Sequence, residues 1–302
     1  MEETTTTTKN EDFFMIKNEH NIDSDSFTIY HQNICGLKSK TDELISSMLP
    51  TPPHILCFSE HHLKYTELDQ INVEGFTLCT AYCRQTMKKG GVCIFAQNGL
   101  KCSKIDVNKY CKDQDIEIFM LNFITTSFSL HIMVVYRAPK GDFNYFLNRL
   151  DDSIKSIYKT NLNLILCGEI NIDYLLENDR KKQLDSMLQT YNLTAIVHFP
   201  TRSQGRSITM IDNIFLDTFK LPSYTVLHFF NSLSDHDAQL LTLKDLNLHD
   251  LNSQVQNYYI YTARDINEYS INKFRTNLSY ETWDCVSILK TTLILILCLI
   301  LF

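Results

Sequence analysis

Between Phe27 and Leu243 the chain is a succession of short β-forming runs separated by turns, with few helical patterns among them. The runs are Phe27 to Asn33, His54 to Ser59, Gly91 to Gln97, Ile116 to Ile124, Phe128 to Tyr136, Leu162 to Cys167, Met210 to Leu216 and Ala238 to Leu243. Helical periodicity covers Ser39 to Leu49, Asp142 to Tyr158 and Arg180 to Tyr191; the second sets Phe146, Leu150 and Ile154 on one face at four-residue spacing. The runs Ile116 to Ile124 and Phe128 to Tyr136 are close enough to form an antiparallel hairpin. Strands that outnumber helices, some of them adjacent, predict two packed mixed sheets with helices on their outer faces. A parallel dinucleotide-binding sheet fits poorly, and neither GxGxxG nor GxxxxGK[ST] occurs.

The length of 302 residues and a hydrophobic fraction of 44% suffice for an enzyme-sized core. A formal net charge of -7 argues against a protein that coats DNA. It leaves room for a nuclease, whose metal-binding carboxylates count toward the acidic total. The ten cysteines contain no CxxC pair and several sit in apolar runs, where a thiol behaves as a small hydrophobe. No zinc site is expected from spacing of this kind. The first residues show acids and a threonine run but no secretory pattern, so an intracellular, nuclear or cytoplasmic, reduced protein is expected.

Residues 1–25 read as a disordered leader, 26–245 as the catalytic-sized domain, and 246–302 as a linker remnant ending in an apolar tail. The tail, Leu293 to Phe302, is shorter than the roughly 20 residues a membrane span needs, so membrane contact is not expected. Ile271 to Trp283 has the pattern of a further helix start.

Polar residues recur where the runs end. Asn33 closes the first run, Glu60 follows the second, Tyr136 ends the fifth, and Glu169 and Asn171 follow the sixth. Asp212 lies between Ile211 and Ile214, where an unpaired carboxylate would be costly to bury. An imidazolium is the cheapest compensation, and His236 sits in Asp235-His236-Asp237 just before the last run. Taken together they suit phosphodiester hydrolysis. Glu60 and Asn33 offer hard oxygen ligands to Mg²⁺, a carboxylate near position 169 and the Asn171 amide could align and deprotonate a water, and an Asp212–His236 pair would meet a phosphate.

These pieces resemble the endonuclease/exonuclease/phosphatase superfamily, most closely its branch in jockey-type non-LTR retrotransposons. The resemblance rests on Tyr30-His31-Gln32-Asn33-Ile34-Cys35-Gly36-Leu37 with Lys40, Leu56-Cys57-Phe58-Ser59-Glu60, Gly90-Gly91-Val92 and Val135-Tyr136-Arg137-Ala138-Pro139. It continues through Leu166-Cys167-Gly168-Glu169-Ile170-Asn171, Phe199-Pro200-Thr201-Arg202, Ile211-Asp212-Asn213-Ile214-Phe215 and Leu233-Ser234-Asp235-His236-Asp237. It implies a four-layer α/β sandwich of the DNase I type, acting on DNA with Mg²⁺ or Mn²⁺ and no obligate protein partner. By the same resemblance Asn33 and Glu60 bind the metal, Tyr136 contacts the phosphate region, Asn171 orients the water, Asp212 pairs with His236, and Asp235 assists the metal or the base.

One position departs from the pattern. Glu169 stands where the family has Asp, and the extra methylene moves the carboxylate by about an ångström, a misplacement that can cost on the order of 10²-fold in rate. Leu278 to Asp284 resembles the linker that precedes the reverse transcriptase in such elements. The leading expectation is a DNA-nicking enzyme; the alternatives are a catalytically inactive remnant or a membrane-associated phosphoesterase.

Overall fold

The computed structural model describes residues 26–85, 89–124, 128–159, 162–205, 207–244 and 246, together with positions 272, 275, 276, 279 and 280. The described residues from 26 to 246 belong to one compact unit. The expected leader and the apolar tail lie outside the described residues, as does most of the helix expected from Ile271, of which the five described positions are helical.

In chain order the elements are β1 (Phe27–Asn33), α1 (Thr41–Met48), β2 (Ile55–Ser59), β3 (Phe76–Tyr82), β4 (Val92–Gln97), β5 (Cys102–Ile105), β6 (Glu117–Ile124), β7 (Ser129–Tyr136) and α2 (Phe143–Lys155). They continue with β8 (Leu164–Glu169), α3 (Asp179–Gln189), β9 (Thr194–Ala195), β10 (Arg202–Gln204), β11 (Ser207–Thr209), β12 (Asp212–Leu216), β13 (Tyr224–Phe229) and β14 (Ala238–Leu243). Six strands form one sheet in the order β13-β14-β1-β2-β4-β3, and six form a second in the order β5-β6-β7-β8-β12-β9. Each sheet is mixed: β1–β2 and β7–β8 pair in parallel among antiparallel neighbours. The expected hairpin is β6–β7, paired in register from Glu117–Tyr136 to Ile124–Ser129.

Strand alternation decides what each face meets. On β1, Phe27 and Ile29 enter the main core with Ile55 and Cys57 of β2 and residues of the second sheet. Tyr30 points to the opposite face, into a second core with Leu56, Phe58, Phe95 and the α1 residues Leu44, Ile45 and Met48. The first sheet is therefore apolar on both faces, one packed on the other sheet and one on α1, which is the layering expected of a sandwich with flanking helices. Helices α2 and α3 are started by side-chain caps: Asp142 Oδ1 accepts from Tyr145 N at 3.0 Å and Asn178 Oδ1 from Lys181 N at 2.9 Å. Helix α2 then buries Phe143, Phe146, Leu150 and Ile154 along one face.

Gly168 fixes how closely β7 and β8 approach. Its φ is +155°, and a Cβ placed on it would lie 1.9 Å from the carbonyl oxygen of Val135. Backbone cannot yield there, so Gly168→Ala is expected to destabilise the fold by on the order of 3 kcal/mol or more. Urea denaturation measures this directly, and a loss under about 1 kcal/mol would contradict so close a packing of the strands.

Candidate active site

The strands that end with polar residues run out at one place. Asn33 pairs in register with Ser59, so the chain leaving β1 emerges beside Glu60. In the second sheet Glu169 lies in register with Tyr136 on one side and Asp212 on the other. The two sheets then meet through side chains: the Asn33 amide donates to Glu169 Oε2, and the Tyr136 hydroxyl donates to Glu60 Oε1.

Behind this contact lies a buried cluster. Glu169, Asp212 and His236 place their ligand-type atoms within 4.8 Å of one another. His236 Nδ1 donates to Asp212 Oδ2 at 2.8 Å, which supplies the compensation that the buried carboxylate requires. Thr201 Oγ1 donates to the same oxygen at 2.8 Å and accepts from the amides of Ile211 and Asp212, both at 3.2 Å. Asp212 Oδ1 is buried without a hydrogen-bond partner.

These neighbours set the protonation of each group. Burial pushes the Glu169 carboxyl up to about 8, and the charge on Asp212 adds to it. Burial alone would lower His236, but the Asp212 charge and hydrogen bond outweigh it and push the imidazole up to about 9. Burial and the charges of Glu169 and Glu60 raise the Tyr136 hydroxyl, which stays a donor. For Glu60 burial is outweighed by hydrogen bonds from His62 and Tyr136, and its carboxylate is held below its usual value.

Both raised groups affect stability with the same sign. The folded chain keeps protons on Glu169 and His236 at pH values where the unfolded chain, with ordinary values of 4.5 and 6.5, has released them. That contribution is complete at low pH and is lost as pH rises through about 8 and about 9 respectively. In EDTA the melting temperature is expected to fall by on the order of 5–10 °C between about pH 5 and pH 9. A profile that rises over this window would contradict the assigned environments.

The donor set fits a hard divalent cation. Two carboxylates, Glu60 and Asp212, and the carboxyl of Glu169, which burial holds up at about 8, act on one imidazolium, and an acceptor oxygen of Asp212 is unused. The excess negative charge and the oxygen-rich ligands are those that Mg²⁺ or Mn²⁺ balances.

The remaining expected residues stand close by but are engaged elsewhere. The Asn171 amide donates to the Arg137 carbonyl at 2.7 Å from a left-handed backbone with φ 52°. Asp235 Oδ2 accepts from Arg202 Nε at 2.8 Å, and its charge also reaches His236.

Several supporting residues carried no expected role. Fully buried Arg137 donates to the carbonyls of Ile170 and Gly141 through Nε and Nη1 and to that of Asn171 through Nη2, each at 2.9 Å, and so ties down the loop after β8. Ser234 Oγ donates to Asn33 O at 2.6 Å and links β1 to the His236 segment. Gln32 Nε2 donates to His236 O at 2.9 Å. All three lie inside the quoted motifs, which was the signal available.

The architecture is similar to that of several solved structures. The endonuclease domain of TRAS1, a telomere-specific non-LTR retrotransposon, matches with a TM-score of 0.59 at 16% identity, over 73% of this chain and 99% of that one. The 3′ phosphatase NExo from Neisseria, bound to product DNA hairpin, matches with a TM-score of 0.55 at 15% identity, over 72% and 99%. D. rerio TDP2 complexed with single strand DNA product matches at 0.53 and 12% identity, over 72% and 98%. The chain has the endonuclease/exonuclease/phosphatase fold. No protein-family profile matches the chain, and no curated protein matches it in sequence.

Proposed function

We propose that the chain is a Mg²⁺-dependent DNA endonuclease of the non-LTR retrotransposon type, which nicks a strand by hydrolysing a phosphodiester. The observation that carries this reading is the buried convergence of Glu169, Asp212 and His236, joined to Asn33 and through Tyr136 to Glu60. DNA is the proposed substrate because two similar structures hold it and the third is a retrotransposon endonuclease domain.

In this reading Glu60 and Asn33 hold the cation, which when bound stabilises charge on the phosphate and the leaving oxygen. Asp212 fixes the ring of His236 through Nδ1 and keeps it charged near neutral pH, so that a phosphate oxygen meets a cation. Glu169 takes the proton of the attacking water; a carboxyl poised near neutrality is suited to that transfer. Arg137 holds the segment carrying Glu169 and Asn171, leaving the Asn171 side-chain oxygen to orient the water. Tyr136 fixes Glu60 and stands at the phosphate. Asp235 adds negative charge beside His236 and aligns Arg202.

A second reading, a folded remnant that cuts nothing, draws on one observation: the Asn33 amide nitrogen donates to Glu169 Oε2, so the carboxyl that would take the water's proton is tied to a neighbouring side chain. Glu169→Asp separates the two. Conversion of supercoiled plasmid to open circle in Mg²⁺ by the unchanged chain supports the first reading, with Glu169→Asp expected to be faster by on the order of 10²-fold. Nicking by Glu169→Asp alone supports the second. Plasmid untouched by both chains in Mg²⁺ and Mn²⁺ defeats the enzyme reading.

A further inference from the structure

At the edge of the site a different set of ligand atoms converges. The Cys35 thiol, a Glu60 carboxylate oxygen and a His62 ring nitrogen lie within 4.8 Å of one another. Their spacing in the chain is not that of a zinc motif. Parallel pairing creates the set: β1 and β2 end side by side at Asn33 and Ser59, and both following loops leave together. Backbone bonds then knit these loops, from Ile34 N to Ser59 O at 3.1 Å, Gly36 N to Glu60 O at 2.8 Å and Leu37 N to His61 O at 3.1 Å. His62 N adds a bond to Gly90 O at 2.9 Å.

Cys35, Glu60 and His62 all take left-handed backbone angles, with φ of 45°, 52° and 60°. Non-glycine residues adopt that region uncommonly, and here three such residues present their side chains to one another. His62 Nε2 already lies 3.1 Å from Glu60 Oε2. Cys35 is exposed, and the side chains of His62 and Glu60 are 19% and 20% exposed, so an ion reaches them from solvent.

We propose that Cys35, Glu60 and His62 form a site for a borderline-soft divalent cation of the Zn²⁺ class, and that its occupancy withdraws Glu60 from the adjoining centre. A mixed sulfur, nitrogen and oxygen set with three protein ligands and one open position is a Zn²⁺ set, whereas Mg²⁺ requires oxygen alone. A tetrahedral Zn²⁺ holds its ligand atoms roughly 3.3–3.8 Å apart, so a small closure of these side chains suffices. Binding forms a sulfur–zinc bond as the Cys35 thiol gives its proton to solvent; His62 ligates through a ring nitrogen that carries no proton, and where that nitrogen is Nε2 its proton passes through solvent to Nδ1 as the contact with Glu60 is given up. Nothing is oxidised or reduced. The inhibitory half rests on the function proposed above; the binding half does not.

Co²⁺ is the probe for binding, because a thiolate ligand gives it a charge-transfer absorption. Titrating the reduced full chain with Co²⁺ is expected to raise this band, and Zn²⁺ to displace it. Cys35→Ser should abolish the band, His62→Ala should weaken Co²⁺ binding by on the order of 100-fold, and Asp212→Asn should retain it. No band in the unchanged chain, or an undiminished one in Cys35→Ser, overturns the site. In the plasmid assay Zn²⁺ added over Mg²⁺ should stop nicking, and Cys35→Ser should need on the order of 100-fold more Zn²⁺ while nicking normally in Mg²⁺ alone. Equal inhibition of both chains overturns the regulatory half. A chain inert in Mg²⁺ defeats the nuclease reading and leaves the cobalt band to decide this one.

Discussion

Glu60→Gln is expected to reduce plasmid nicking by about 10³-fold or more while leaving the fold in place. Glu60 sits just past β2 at a positive φ, held by the Tyr136 hydroxyl and by His62 at 3.1 Å. Glutamine keeps the shape and removes the charge, so the loss falls on the cation rather than on packing. Transition-state stabilisation of several kcal/mol depends on that cation, and about 4 kcal/mol corresponds to about 10³ in rate. The check is nicking rate set beside melting temperature. A variant that nicks at more than about a tenth of the original rate would remove Glu60 from the centre; one that loses several degrees of melting temperature would assign it to the fold.

Asp212→Asn is expected to cost about as much for a different reason. Asp212 holds His236 through Nδ1 and raises it to about 9. An amide there removes the charge that keeps the ring protonated, and it can favour the wrong tautomer; in a related arrangement this costs about 10⁴-fold. The Thr201 hydroxyl still has an oxygen or an amide to meet, so folding should survive. The pH profile distinguishes this role from a structural one. The limb that reports loss of the His236 proton should move to lower pH in Asp212→Asn, and an unmoved limb would show that the aspartate does not act through the histidine.

Much of this centre could be read from the chain because the relevant strands are apolar and the relevant residues interrupt or end them. Strands β1, β2, β4, β6, β7, β8, β12 and β14 have buried runs, and their expected ends fall within two residues of those observed. Asp212 stood out because, with Asn213, it interrupts an otherwise apolar run from Met210 to Leu216, and the structure gives it His236 and Thr201. Strands β3, β5 and β13 went unexpected for the converse reason. They lie toward the sheet edges and carry half-exposed residues, as in Cys102–Ile105, so no continuous apolar run marks them. Strands β9, β10 and β11 span two or three residues and leave no period to detect.

The supporting contacts were harder still. Arg137 has no role of its own in the sequence reading, yet it is fully buried and bonds carbonyls of two loops, Gly141 after β7 and Ile170 and Asn171 after β8. Arginine's planar fork can satisfy several oxygens at once, which no spacing rule reveals. Cys35 and His62 meet through strand pairing, and pairing is a tertiary fact. The Glu169 departure was legible as a change of length; that the longer side chain reaches Asn33 across the sheets was not.

In the proposed function one cation-loaded cluster, built from Asn33, Glu60, Glu169, Asp212 and His236, is the centre of activity. Anomalous diffraction from crystals soaked in Mn²⁺ tests it most directly. The expected result is a strong peak at Glu60 and Asn33, beside the Asp212–His236 pair, which vanishes in Glu60→Gln. Ordered Mn²⁺ found elsewhere on the molecule and absent from these residues would contradict the account.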